Sequence, residues 1–183
     1  MTDVFGPSAL ATPANAVTIS RVLLTPLLLV SIAGTGASWP GLALWVALSA
    51  SDGIDGYLAR RHGVTRSGAF LDPLADKFLV LGAMAVLVVT DVFWWLPVAL
   101  VAGREVAMSL YRSVAGRSGV SVPARRSAKL KTVVQEVAVG LAICPAFEDN
   151  PLLATTVLWA ATGLTLLTGA QYWTDARRHA PAA

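Results

Sequence analysis

From Val22 to Ser51 the chain runs for 30 residues without a charged side chain. One bilayer span needs only about 20 apolar residues, so the run is long enough to have to turn back on itself. Gly34-Thr35-Gly36-Ala37-Ser38-Trp39-Pro40 in its middle supplies the Gly and Pro expected at such a turn. Composition agrees with this reading. Charged residues make up 14% of the chain and hydrophobic ones 55%, and mean hydropathy is +0.64. Soluble domains carry about 25% charged residues. These values exclude disorder and argue against both a water-facing globule and a nucleic-acid module. The single cysteine, Cys144, excludes an intrachain disulfide and a Cys-based metal cluster.

Length and pattern predict one all-α transmembrane domain over residues 1–183 with six membrane helices. They are placed at about residues 20–34, 40–61, 69–90, 92–114, 127–146 and 151–173. A short N-terminal segment (about 1–16) precedes them and a tail (174–183) follows. The N-terminal segment lacks the basic start and apolar run of a cleaved signal peptide. Phe93-Trp94-Trp95 falls where an interfacial aromatic belt belongs. Six spans put both termini and the loops after helices two and four on one side, and all 14 Lys and Arg residues fall there. The opposite loops hold Asp91, Glu148 and Asp149 with no basic residue. Such segregation predicts a multi-pass cell-membrane protein with cytoplasmic termini.

The charges that carry chemistry lie inside the predicted helices. Asp52 and Asp55 are three apart near the end of helix two, and Asp72 and Asp76 four apart near the start of helix three. Each pair therefore shares a helix face. Two helices joined by a short loop are expected to be antiparallel neighbours that present four carboxylates to one another near the cytoplasmic side. An intramembrane Asp costs roughly 2.5–3.5 kcal/mol on insertion scales. Four of them must face a cavity and be compensated. Close carboxylates with no cation between them resist joint ionisation, and a divalent cation reverses that. Hard oxygen ligands without suitably placed His or Cys favour Mg²⁺ or Mn²⁺ over Zn²⁺. Gly56 and Ala59 would let a bulky group approach the helix, and Arg60 offers a planar fork for phosphate. An ordinary charged helix cap is the bland alternative, but a cap does not need four acids at helical spacing on two adjoining helices.

Asp52-x-x-Asp55-Gly56-x-x-Ala59-Arg60 followed by Gly68-x-x-x-Asp72-x-x-x-Asp76 resembles the signature of the CDP-alcohol phosphotransferase family. All eight signature residues are present, although seven residues rather than the usual eight separate Arg60 from Gly68. The resemblance implies the six-helix membrane fold of that family, usually a homodimer, with a polar cavity facing the cytoplasm. It implies that Asp52, Asp55, Asp72 and Asp76 hold divalent metal, two ions of Mg²⁺ or Mn²⁺. Asp76 would also be the catalytic base that takes the acceptor's proton. Asp52, Asp55, Gly56, Ala59, Arg60, Gly68 and Asp72 would bind the CDP part of CDP-diacylglycerol.

Further segments resemble the bacterial branch of this family that uses glycerol 3-phosphate and forms phosphatidylglycerophosphate and CMP. They are Asn15-x-x-Thr18-x-x-Arg21 with Pro26, Gly103-Arg104-Glu105 with Arg112, and Lys129-x-Lys131-Thr132-x-x-Gln135. Gly103 stands where an apolar residue is usual, and Ala128 where glycine is usual. Charge points the same way. A dianionic acceptor needs cations near the metal site, and Arg104, Arg112, Lys129 and Lys131 are placed to converge on a phosphate. For Arg125, Arg126 and Lys129 the competing reading is contact with anionic lipid; for Arg104 it is a buried ion pair with Glu105. Two alternatives remain open. A phosphatidylinositol phosphate synthase would need the same cations, and a divalent-cation transporter could also use intramembrane acids. Arg60 beside the acids, and their position near one face rather than the midplane, weigh against transport.

Overall fold

The computed structural model describes residues 12–62, 66–117 and 126–178, and all regular structure among them is helical. The elements are α1 (Pro13–Thr35), α2 (Trp39–His62), α3 (Arg66–Val89), α4 (Trp95–Arg117), α5 (Arg126–Ala142), a short 3₁₀ turn (Pro145–Phe147) and α6 (Pro151–Arg178). Helix α1 begins at Pro13 rather than near residue 20. Thr12 caps it by accepting the Asn15 N–H at 3.2 Å, and proline fits the first helical position, where no N–H is needed. Helix α5 stops at Ala142, short of residue 146, because Pro145 cannot continue it. Helix α6 runs on to Arg178, beyond residue 173.

The turns follow local chemistry. Gly36 closes α1 at φ 64°, donating its N–H to the Ile32 carbonyl. Asp91, at φ 61°, takes the left-handed conformation that Asp tolerates and lets both Val92 and Phe93 donate to the Leu87 carbonyl.

Packing departs from the expected arrangement in one respect that matters for the site. Helices α2 and α3 touch only sparsely; α1 packs extensively against both and separates them. Helix α6 packs against α4 and α5, and α3 joins the two groups through α4 and α5. The apolar core gathers Leu28 and Ile32 from α1, Leu79, Met84 and Leu87 from α3, Ile143 just after α5, and Leu158 from α6. The segments 15–35 and 151–171, within α1 and α6, are long and apolar enough to cross a membrane. Leu23 and Val30 on α1 and Leu167 on α6 are largely exposed, as a lipid-facing surface requires. Among the described residues, the other four long helices offer no stretch that is both long enough and apolar enough to meet that standard. Asp52, Asp72, Asp76, Arg104, Glu105 and Lys131 lie on them, and all six line one cavity.

Candidate active site

One side of α1 is polar and buried: Asn15, Thr18, Arg21 and Thr25 are each at most 1% exposed. This stripe faces α2 and α3. Thr18 donates its hydroxyl to Asp72 Oδ1 at 2.7 Å. Arg21 donates from Nη1 to Asp52 Oδ1 at 3.1 Å and from Nε to Ser51 Oγ at 3.0 Å. The acids on α2 and α3 are therefore held through a third helix. The expectation that no cation lies among them is corrected: the Arg21 guanidinium sits beside Asp52. Arg21 is fully buried while Asp52 stays about half exposed, so the charge-assisted bond compensates the guanidinium for leaving water.

Asp52, Asp72 and Asp76 line one open cavity of about 1380 Å³, together with Arg104, Glu105, Lys131 and Glu136. The cavity also takes in Ser49 and Thr132. Among the described residues, no three His, Cys, Asp or Glu side chains gather closely enough to hold a metal ion. The side chains of Asp55, Gly56, Ala59, Arg60, Gly68, Arg112, Arg126 and Lys129 lie outside the described set, as does Arg125 altogether. The carboxylates that line this cavity are nevertheless hard oxygen donors of the kind that Mg²⁺ or Mn²⁺ takes.

The cations form a second cluster. Arg104 Nη1 donates to Glu105 Oε1 at 3.0 Å, and Lys131 Nζ donates to the same oxygen. Arg104 Nη2 reaches Thr168 Oγ1 at 3.2 Å, while its buried Nε has no hydrogen-bond partner among the described residues. The ion pair foreseen as the competing reading for Arg104 is present. It does not neutralise the cluster, since two cations share one carboxylate. A guanidinium and an ammonium held side by side suit a phosphate dianion.

Sequence reasoning missed three contributors. Thr18 and Arg21 appeared in a motif but had no assigned role, and Glu136 was passed over. Glu136 is the one charged residue in the stretch Val133–Ile143, the same signal that singled out the aspartates.

An all-helical bundle with acids from two helices and cations from two others around one cavity defines a class. Residues 11–167 match the CDP-alcohol phosphatidyltransferase family, and the chain belongs to it. Family membership and the two apolar helices make it a membrane protein. Among its relatives, the "Probable phosphatidylglycerophosphate synthase" of Mycobacterium tuberculosis is 35% identical over 96% of this chain and 87% of its own length. A "CDP-diacylglycerol--glycerol-3-phosphate 3-phosphatidyltransferase" of Pseudomonas fluorescens is 37% identical over 90% of each chain. One of the same name from Rickettsia typhi is 35% identical over 87% of this chain and 93% of its own.

Proposed function

We propose that the protein transfers the phosphatidyl group of CDP-diacylglycerol to sn-glycerol 3-phosphate, giving phosphatidylglycerophosphate and CMP. The observation that carries this reading is one cavity lined both by Asp52, Asp72 and Asp76 and by Arg104 and Lys131. That layout suits a donor pyrophosphate and an anionic acceptor side by side. The names of the relatives agree with it.

In this reading Asp76 takes the proton of the acceptor's primary hydroxyl as its oxygen attacks the diacylglycerol-bearing phosphorus. The phosphoanhydride bond breaks, CMP leaves, and the proton stays on the Asp76 carboxyl until water removes it. Arg104 and Lys131, with Arg112 and Lys129, hold the acceptor's phosphate. Gly56, Ala59, Arg60 and Gly68 line the CDP portion. Asp52, Asp55, Asp72 and Asp76 would hold two Mg²⁺ or Mn²⁺ ions, which supply positive charge against the pyrophosphate when bound. Arg21 and Thr18 fix Asp52 and Asp72 in place. We further infer that all six helices span the membrane, with both termini and the cavity mouth on the cytoplasmic side, and that the protein is a homodimer. The one-sided distribution of its basic residues supports the orientation.

The test is an acceptor screen with purified protein, CDP-diacylglycerol and Mg²⁺ or Mn²⁺. Glycerol 3-phosphate should release CMP. Turnover with inositol phosphate alone would move the protein to the phosphatidylinositol phosphate branch. No turnover with any acceptor, combined with metal uptake into proteoliposomes, would replace the enzyme with a transporter.

A further inference from the structure

Two ties fix how α2 lies against α5. The Ser38 N–H donates to the Ile143 carbonyl at 3.1 Å, and Trp45 Nε1 donates to the Glu136 carbonyl at 3.3 Å. Seven residues separate the tied positions on each segment, counted in opposite directions, so the two run antiparallel. Gly140 packs against the Trp45 indole, a Cβ there reaching only contact distance, 3.4 Å from Nε1. One further turn along this register brings Ser49 level with Thr132. Helix side chains lean toward the helix N-terminus, so the Glu136 side chain leans from the level of Trp45 toward that of Ser49. Ser49, Thr132 and Glu136 all line the cavity that contains Asp76 and Lys131.

The Ser49 hydroxyl is buried and has no hydrogen-bond partner among the described residues. Glu136 lies close enough to Asp52 and Asp76 to feel their charge, and no hydrogen bond to its carboxylate is found among the described residues. A buried hydroxyl without a partner costs free energy until something supplies one. An occupant that donates to Glu136 and exchanges a hydrogen bond with Ser49 would satisfy both groups. A phosphate would be repelled by Glu136, and an acyl chain would leave both groups unsatisfied. A neutral alcohol hydroxyl meets both demands.

Building on the proposed acceptor, we propose that Glu136 and Ser49 read the acceptor's second, unreacting hydroxyl, and that Glu136 is a specificity-determining residue for a polyol phosphate. The reacting hydroxyl lies toward Asp76 and the phosphate toward Lys131, which leaves the middle hydroxyl of glycerol 3-phosphate for the α2–α5 wall.

The experiment compares kcat/KM for glycerol 3-phosphate with that for 3-hydroxypropyl phosphate, which keeps the primary hydroxyl and phosphate but lacks the middle hydroxyl. A hydrogen bond to a charged group sets the expected preference of the unmodified protein at about tenfold to a hundredfold. Glu136→Ala should bring that ratio close to one, and Glu136→Gln, which keeps an acceptor oxygen, should leave part of it. Ser49→Ala reads the same wall from α2 and should lower the ratio even if Glu136→Ala fails to fold. A ratio unchanged in Glu136→Gln and Ser49→Ala would overturn the proposal. So would an intact ratio with a raised KM for CDP-diacylglycerol, which would give the wall to the donor's ribose, or with a raised Mg²⁺ requirement, which would make Glu136 a metal ligand. If the unmodified protein uses neither acceptor, the proposed function fails first and the hydroxyl wall with it. If it uses both equally, the proposed function stands and only this inference falls.

Discussion

The same helices build two unlike halves. Toward the α1–α2 turn they meet through Leu28, Ile32, Met84, Leu87, Ile143 and Leu158, each at most 2% exposed. Toward the opposite end they meet through Thr18, Arg21, Asp52, Asp72, Glu105 and Lys131, tied pairwise by hydrogen bonds and ion pairs. In the first half a residue matters for its volume; several side chains of similar shape would serve. In the second it matters for one atom facing another. Removing a partner there leaves a charge uncompensated in a low-dielectric setting, which costs more than the bond itself gained. Substitutions should therefore differ in what they touch: those in the apolar half lower stability and spare substrate affinity, whereas those in the polar half change rate or the affinity for substrate or metal, and cost stability as well where they strand a buried charge.

Asp76→Asn should break the polar half most severely. Removing a general base costs about 10²–10⁴-fold in rate, while the near-isosteric amide preserves packing. CMP release would fall by that factor, with the thermal midpoint in detergent almost unmoved. A near-wild-type rate at neutral pH would take the base role away from Asp76.

Next in size is Lys131→Gln. Loss of a charge-assisted hydrogen bond is worth roughly 1.5–3 kcal/mol, so the KM for glycerol 3-phosphate should rise about tenfold to a hundredfold. The KM for CDP-diacylglycerol should barely change. Because Glu105 is shared between Lys131 and Arg104, the loss also frees that carboxylate to neutralise Arg104 more fully, which places the effect toward the upper end. Equal rises for both substrates would mean the cluster organises the whole cavity rather than the acceptor's share of it.

How far the two halves were legible in the sequence follows from the same contrast. The apolar half needed only hydropathy runs and turn residues, and the six helices emerge from those. Their ends moved where local chemistry overrode the run: Thr12-Pro13 started α1 early, and Pro145 ended α5 short. In the polar half, Asp52, Asp72 and Asp76 could be read from helical spacing because each pair lies on a single helix. Their neighbours could not. That α1 separates α2 from α3 is a tertiary fact, and spacing within one helix carries no information about which other helix arrives beside it. Arg21 and Thr18 are 31 and 54 residues from the acids they hold. Glu136 is different, since a lone carboxylate in an otherwise uncharged stretch of helix is visible in sequence.

In the apolar half, Leu158→Ala on α6 sharpens the contrast from the other side. If both folded and unfolded helices sit in lipid, the solvent-transfer part of the loss largely drops out and the cavity part remains. At about 24 cal/mol per Å³, a residual void of ~80 Å³ costs ~2 kcal/mol. Denaturation in detergent should show that loss, while KM for both substrates and kcat of the folded fraction stay at their original values. A changed KM would mean the two halves are mechanically coupled rather than merely adjacent.

The smallest expected effect is the most selective. Thr18→Val keeps the shape of a fully buried side chain and removes the hydroxyl that donates to Asp72 at 2.7 Å. Asp72 is only half-buried and faces the open cavity, so water can replace part of what is lost. The expected cost is therefore about 1 kcal/mol, roughly a fivefold loss, within the range of an ordinary hydrogen bond. It should appear in Mg²⁺ or Mn²⁺ affinity measured by calorimetry without substrates, because an unanchored carboxylate must be ordered when it takes a ligand. The acceptor's KM at saturating metal should not follow, since Thr18 is not among the residues that line the cavity with Lys131. Thr18→Ser, which restores the donor, should recover metal affinity even if losing the methyl group lowers stability slightly. If Val and Ser variants lose affinity equally, packing of α1 rather than the hydroxyl orients Asp72. The polar half would then be governed, at that point, by the same volume rule as the apolar one.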